Sequence, residues 1–260
     1  MKITQLAIWL NLPLFLCIIL SCDNTNQGSN NNTAEFNAEN SDSKAIDIAD
    51  EVMESMGGKR NWDQTRHISW HFFDSRKHFW DKHTGDVRIE ALNNDLKILM
   101  NINTMEGRVF KDGSEVTQAD SLNKYLEQGK KYWINDSYWL LMPYKLKDPG
   151  VTLKYLGEET LEDGSETDVL KLTFEDVGVT PENKYLVYVD QDKKLVTQWA
   201  FFRQASQDSP DFKTSWDNYN RYGNILISSQ RGERSMSNIA TYESLPERIY
   251  TSLEPIEDIL

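Results

Sequence analysis

The sequence predicts a mainly β domain of the α+β class: a curved antiparallel sheet of about ten or eleven strands, with an N-terminal helix and a few short helices covering its concave face. Two observations carry that expectation. From His67 onward the apolar period is two, with Leu96, Ile98, Met100 and Ile102 alternating with Lys97, Leu99, Asn101 and Asn103. The same alternation returns in Leu170, Leu172 and Phe174, and in Tyr185, Val187 and Val189. Turn-forming clusters punctuate the runs: His83-Thr84-Gly85-Asp86, Lys111-Asp112-Gly113, Glu162-Asp163-Gly164 and Tyr222-Gly223-Asn224.

The helices follow from other spacings. Ala45, Ile48, Ala49, Val52, Met53 and Met56 recur at helical intervals, Ser43 offers a cap, and Gly57-Gly58 ends the run. Two stretches break the β pattern. Residues 117–130 read as a short helix leading into 131–149, with Asn135 and Asp136 as caps of the helix that follows. Gln204 to Tyr222 reads as irregular.

Composition narrows the partners. The chain of 260 residues carries a net charge of −13, which argues against nucleic acid and against a polybasic hold on anionic lipid. Both cysteines, Cys17 and Cys22, lie near the N-terminus, so the rest of the chain has no thiol for a disulfide, a metal or a nucleophile. Eight Trp, eleven Tyr and ten Phe are then the means of building a core or walling a cavity.

At the N-terminus Lys2 precedes an apolar run from Leu6 to Leu20, of about the ~7–15 residues of a signal-peptide core. A membrane helix is the competing reading, but the run falls short of the ~20 residues that spanning needs, and Asn11 and Pro13 interrupt it. Ile19-Leu20-Ser21-Cys22 resembles the bacterial lipoprotein signal. The resemblance implies removal of residues 1–21 and acylation of Cys22, which would hold the protein to a membrane. Residues 22–43, rich in Asn and Ser, are expected to be a disordered tether, and 44–260 the folded domain. The expected location is the bacterial cell envelope, with the outer membrane favoured over the inner.

Three further blocks carry a family resemblance. They are Trp80 to Glu90 (WDKHTGDVRIE), Asn135 to Val151 (NDSYWLLMPYKLKDPGV) and Gly178 to Tyr185 (GVTPENKY). They resemble a family of secreted proteins and lipoproteins of Bacteroidetes, itself distantly similar to the LolA/LolB-like half-barrels of lipoprotein sorting. The resemblance implies an unclosed half β-barrel with helices plugging an apolar, acyl-binding cavity.

The segment from Tyr132 to Tyr144 is the foremost candidate site. Trp133, Tyr138, Trp139, Leu140, Leu141, Met142 and Tyr144 crowd into it, and as a helix it is apolar on more than one face. It would either wall a ligand cavity or form the core plug of the sheet. His67, His71, His78 and His83 cluster, yet His67 and His71 would stand about 13 Å apart along a strand, so cross-strand pairing is expected rather than a metal site. For Asp148, Arg88 and Glu90, which belong to the blocks that carry the resemblance, buried pairing of the arginine with a carboxylate is expected within the barrel. No nucleophile elbow, phosphate loop or zinc-protease motif occurs, so neither catalysis nor a cofactor is expected. The leading expectation is a lipid- or lipoprotein-binding module. The alternatives are an interaction protein with a filled core and an exposed patch around Phe212, Trp216 and Tyr219, and an enzyme acting on an envelope component.

Overall fold

The computed structural model describes residues 35–174 and 180–258. Cys22, the signal segment 1–21 and the tether up to residue 34 lie outside the described residues.

Strands β1 (His67–Phe72), β2 (Arg76–Asp81), β3 (Asp86–Ala91), β4 (Leu96–Asn101), β5 (Gly107–Lys111) and β6 (Ser114–Glu115) form an antiparallel meander, and the last strand, β15 (Ser237–Tyr242), pairs outside β1. Register aligns one inner row across the sheet: Trp70, His78, Ile89, Ile98 and Val109. All five are buried against the main core. The opposite row, Ser69, Phe79, Arg88, Leu99 and Arg108, faces the other way. The C-terminal segment, including helix α4 (Arg248–Thr251), covers it. Ile249 and Ile256 pack on Phe79 there. Arg88, fully buried, bonds Glu90 at 2.7 Å and donates to the carbonyls of Ile249, Ser252 and Glu254. Of the two carboxylates expected to pair with Arg88, Glu90 does so and Asp148 pairs with Lys145 instead, and Arg88 serves as a clasp for the C-terminus.

The second sheet contains β7 (Val151–Thr160), β8 (Glu166–Phe174), β9 (Lys184–Asp190), β10 (Val196–Phe202) and β11 (Phe212–Ser215), in sequential antiparallel order. A third, small sheet joins β12 (Asp217–Tyr222), β13 (Ile225–Arg231) and β14 (Arg234–Ser235). None of the three closes on itself among the described residues, so the fold is an unclosed half-barrel of curved antiparallel sheets. The described residues hold fifteen strands, against about ten or eleven expected from periodicity. Two of the extra strands, β6 and β14, are two residues long. Two more, β11 and β12, fall in the stretch 204–222 that reads as irregular. Both are largely exposed, so neither carries the apolar alternation by which a strand is recognised.

Helix α1 (Ser43–Ser55) buries Ala45, Ile48, Ala49 and Val52, as its spacing predicts. The ordered chain begins before it. Within the stretch read as tether, Asn37 and Asp42 donate their backbone N–H groups to Val151 and Leu153 of β7, and the Asp42 carboxylate takes Lys154 and the Tyr155 N–H. Low apolar content did not prevent order, because these residues bond to a strand edge instead of building a core. After α1 the chain turns sharply at Gly57, whose φ is +118°. A Cβ there would stand 2.4 Å from the Asn224 carbonyl oxygen, so glycine is required on both counts.

Past a second short helix, α2 (Gly58–Gln64), the longest element is α3 (Ala119–Leu141), one unbroken 23-residue helix. The Gln118 side chain caps it by accepting from the Ser121 N–H at 2.8 Å. Asn135 and Asp136 are therefore interior residues of α3 and not caps. A 3-10 turn (Met142–Lys145) continues the chain, and Pro143, lacking an N–H, stops the α-helical ladder. Gly129 lets α3 lie close on the first sheet: a Cβ there would meet Ile98 Cγ2 and Met100 Sδ at 3.0 Å.

Asp136, fully buried, pins this helix to β2. Its carboxylate accepts from Arg76 Nε at 2.6 Å, from Arg76 Nη2 at 2.9 Å and from His78 Nε2 at 2.7 Å. His78 in turn stacks flat on Trp70, with centroids 4.5 Å apart. His78 Nδ1 has no partner among the described residues, so a second proton there would bury an unbonded donor. Burial pushes the His78 imidazole below its ordinary value of 6.5, outweighing the pull of Asp136. Burial would raise the Asp136 carboxyl, but the bonds from His78 and Arg76 outweigh it and hold the group below 3.8.

Two results are expected. Gly57→Ala should lower stability by about 3 kcal/mol in urea unfolding, from positive φ and overlap together. Gly113→Ala, also at positive φ but with open space around it, should cost about 1–2 kcal/mol. Asp136→Asn should cost on the order of 3–5 kcal/mol, because Arg76 loses its buried counter-charge and the neutral His78 its charged acceptor. Unfolded His78 and Asp136 bind protons that their folded forms refuse. Stability should therefore fall as pH drops below 6.5 and again below 3.8. His78→Gln, which keeps a donor for Asp136, should flatten the first of these two falls in urea midpoints measured across pH.

Candidate functional site

A cavity of about 500 Å³ opens between the C-terminal half of α3 and the second sheet. Its size lies within the ~300–1,000 Å³ of small-molecule sites. Helix α3 contributes Ile134, Asn135, Tyr138 and Trp139, and the turn after it contributes Lys145, Asp148, Pro149 and Val151. Phe174, Thr180, Asn183, Tyr185, Trp199, Phe201 and Phe212 complete the lining.

Strand register explains the aromatic wall. Leu172, Tyr185, Phe201 and Phe212 are aligned across β8, β9, β10 and β11, and Trp199 stands two residues before Phe201 on the same face. The rings form one connected surface. Tyr185 stacks on Trp199 at 5.0 Å, Trp139 meets Trp199 edge-on at 4.8 Å, and Phe212 lies parallel to Trp139 at 5.8 Å. Such contacts are favourable beyond the area they bury, which keeps the wall formed without a ligand. Phe212, 38% exposed, is the outermost of these rings.

The polar features are few. Lys145 and Asp148, paired at 2.6 Å, are the only charged side chains among the lining residues described. Burial pushes the Tyr185 hydroxyl up to about 12 and raises that of Tyr138 well above its ordinary value of 10, so both remain neutral donors. Tyr138 Oη, Trp199 Nε1 and Asn183 Oδ1 are buried without a hydrogen-bond partner among the described residues. Unbonded polar atoms at a cavity are the groups that a water or a ligand atom can satisfy.

Arg231 sets the position of Trp139. Buried on β13, it donates from Nη2 at 2.7 Å and from Nε at 3.2 Å to the Trp139 carbonyl, one of the last four of α3. Its guanidinium also lies 3.3 Å over the Trp216 ring and bonds Ser228 Oγ at 2.8 Å. Among the described residues no carboxylate stands in ion-pair range of it. Burial pushes it down to about 9, still charged at neutral pH, and the negative end of the helix dipole supplies the compensating field.

No family model matches the chain, and no curated protein matches it either. Among solved structures it is similar to three. One is a DUF1329 family protein from Desulfovibrio piger, with 10% identity, TM-score 0.43, and coverage of 83% of this chain and 99% of that one. The second is a LolA superfamily protein from Nitrosomonas europaea, with 13% identity, TM-score 0.39, and coverage of 80% and 97%. The third is MucB in complex with MucA(peri), with 14% identity, TM-score 0.25, and coverage of 80% and 59%.

The structure separates the seven residues singled out in the 132–144 segment. Tyr138 and Trp139 line the cavity. Trp133 turns to the first sheet, edge-on to Trp80 at 5.1 Å. Leu140, Leu141 and Met142 are buried in the main core. Tyr144 stacks on Trp62 at 4.3 Å, and its hydroxyl lies 2.8 Å from the carbonyls of both Met56 and Leu226. Of the rest of the wall, sequence reads Phe174 and Tyr185 only as strand alternation and Phe212 as surface patch, and singles out neither Trp199 nor Phe201. The spacing of Trp199 and Phe201, two apart on one strand, is the signal that could have pointed to it. Of the expected surface patch, Phe212 faces the cavity, Trp216 is buried beneath Arg231, and the Tyr219 hydroxyl bonds the Val196 carbonyl at 2.9 Å. Three of the four histidines pair across strands: His67 faces Asp81 and lies 2.9 Å from the Tyr250 hydroxyl, His71 faces Lys77 and His78 faces Trp70, whereas His83 lies in the turn after β2, 3.0 Å from the Asp63 carbonyl oxygen. Among the described residues no three His, Cys, Asp or Glu side chains converge as metal ligands.

Arg231→Met should cost about 2–3 kcal/mol of stability, since the Trp139 carbonyl and Ser228 Oγ lose their charged donor. Tryptophan emission of the folded variant should also shift as Trp139 loosens, whereas Arg234→Met, at an exposed position, should leave it unchanged.

Proposed function

We propose that the protein is a membrane-anchored lipoprotein of the bacterial envelope that binds an apolar ligand, a lipid or a lipoprotein acyl chain, in the cavity between α3 and the second sheet. The preformed aromatic wall around about 500 Å³ is the observation that carries this reading. A packed core buries its rings against side chains on all sides, whereas here Trp139, Phe201 and Phe212 border open space beside α3. The cavity-lining roles fall to Tyr138 and Trp139 together with the rings of β9, β10 and β11. Leu140, Leu141, Met142 and Tyr144 act as the plug that seats α3, and Trp133 secures it to the first sheet. Acylation at Cys22 would place the cavity near a membrane, with residues 23–34 as the link and the outer membrane as the favoured site.

The test uses the full chain carrying Cys22→Ser, so that it holds no acyl group of its own, and the uncharged dye Nile red. Saturable binding is expected, weakened about tenfold by Trp139→Ala or Phe212→Ala and unchanged by Leu156→Ala, an exposed apolar residue outside the cavity. A well-folded protein that binds no dye would remove the cavity reading and favour an interaction protein with a filled core.

A further inference from the structure

The charge arrangement at the cavity narrows the ligand further, an inference that rests on the cavity reading above. Among the described residues the lining contains one cation and one anion, Lys145 and Asp148, 2.6 Å apart in the turn after α3. Both side chains remain partly open to solvent, at 20% and 41% exposure, so a head group can reach them. We propose that the cavity selects amphiphiles whose head group is zwitterionic, over anionic or cationic amphiphiles of the same chain.

The reasoning is electrostatic. A carboxylate head that approaches Lys145 also approaches Asp148, a like charge within a few ångströms, and must displace it to gain a partner. A cationic head meets the same conflict at Lys145. A head carrying both signs can separate the pair and give each member a new partner, its anion to the ammonium and its cation to the carboxylate. No charge is then left without a counter-charge. The overall charge of −13 adds a further bias against anions. The aromatic wall has no ionised group of its own, so it accepts the apolar body without affecting the choice of head.

The experiment displaces Nile red from the Cys22→Ser protein with four amphiphiles of one chain length, each below its micelle threshold: dodecylphosphocholine, dodecyl maltoside, laurate and dodecyltrimethylammonium. Dodecylphosphocholine is expected to act at concentrations about tenfold below laurate and dodecyltrimethylammonium, with the uncharged maltoside between. Asp148→Asn should move laurate to the front of the order, and Lys145→Met should do the same for dodecyltrimethylammonium. Laurate or maltoside leading in the Cys22→Ser protein, or one order shared by all variants, would overturn the charge inference and leave the cavity intact. Absence of dye binding would overturn the cavity and this inference together. If either turn variant fails to fold, the order measured on the Cys22→Ser protein still decides.

Discussion

The burial of Asp136 constrains the rest of the molecule. A carboxylate placed inside a protein must have its charge and its lone pairs met, and Asp136 has both met by Arg76 and His78 on β2. Those partners are themselves held, Arg76 against the Tyr132 ring at 4.2 Å and His78 flat against Trp70. The result fixes the rotation of α3 about its axis. Once Asp136 faces the first sheet, Trp133 and Gly129 must face it too, while Tyr138 and Trp139 are turned toward the second sheet. One turn further along, Arg231 holds the Trp139 carbonyl from the third sheet. One helix is thus tied to two sheets by charge-assisted bonds, with its apolar residues filling the space between.

The cavity follows from that geometry. Helix α3 packs closely on the first sheet, where Gly129 admits Ile98 and Met100. Its other side meets a sheet whose facing residues are large rings. Rings that stack on one another at 5–6 Å build a stiff wall, and such a wall cannot collapse to fill a gap as aliphatic chains do. The space beside α3 therefore persists. Among the described lining residues the only charges are the paired Lys145 and Asp148, so this part of the site offers apolar surface beside a balanced ion pair, although the chain as a whole is strongly acidic.

Much of the half-barrel was legible in advance. Alternating apolar residues located β4, β8 and β9, and each quoted turn cluster lies between paired strands. The strands that escaped notice, β11 and β12, lack a buried face, and a pattern built on burial cannot report them. Asp136 escaped for a related reason. An acidic residue beside Asn135 and Ser137 has the local chemistry of a helix cap, and nothing nearby in sequence reveals the arginine and histidine that neutralise it from some 60 residues away. The candidate segment was legible as an apolar block, but its division into cavity wall and core was not, because helical spacing specifies faces without specifying what lies opposite each.

By itself the sequence determined the period of each strand, the place of its turns, the glycine that ends α1 and the crowding of aromatic residues between 132 and 144. These are local consequences of backbone sterics and side-chain alternation. Tertiary structure alone decided the register that aligns Tyr185, Phe201 and Phe212, the burial that turns Asp136 into an anchor, and the placing of the Lys145–Asp148 turn beside an aromatic cavity. Register and burial depend on which surfaces meet. That is a property of the folded chain as a whole, and it belongs to no window of its sequence.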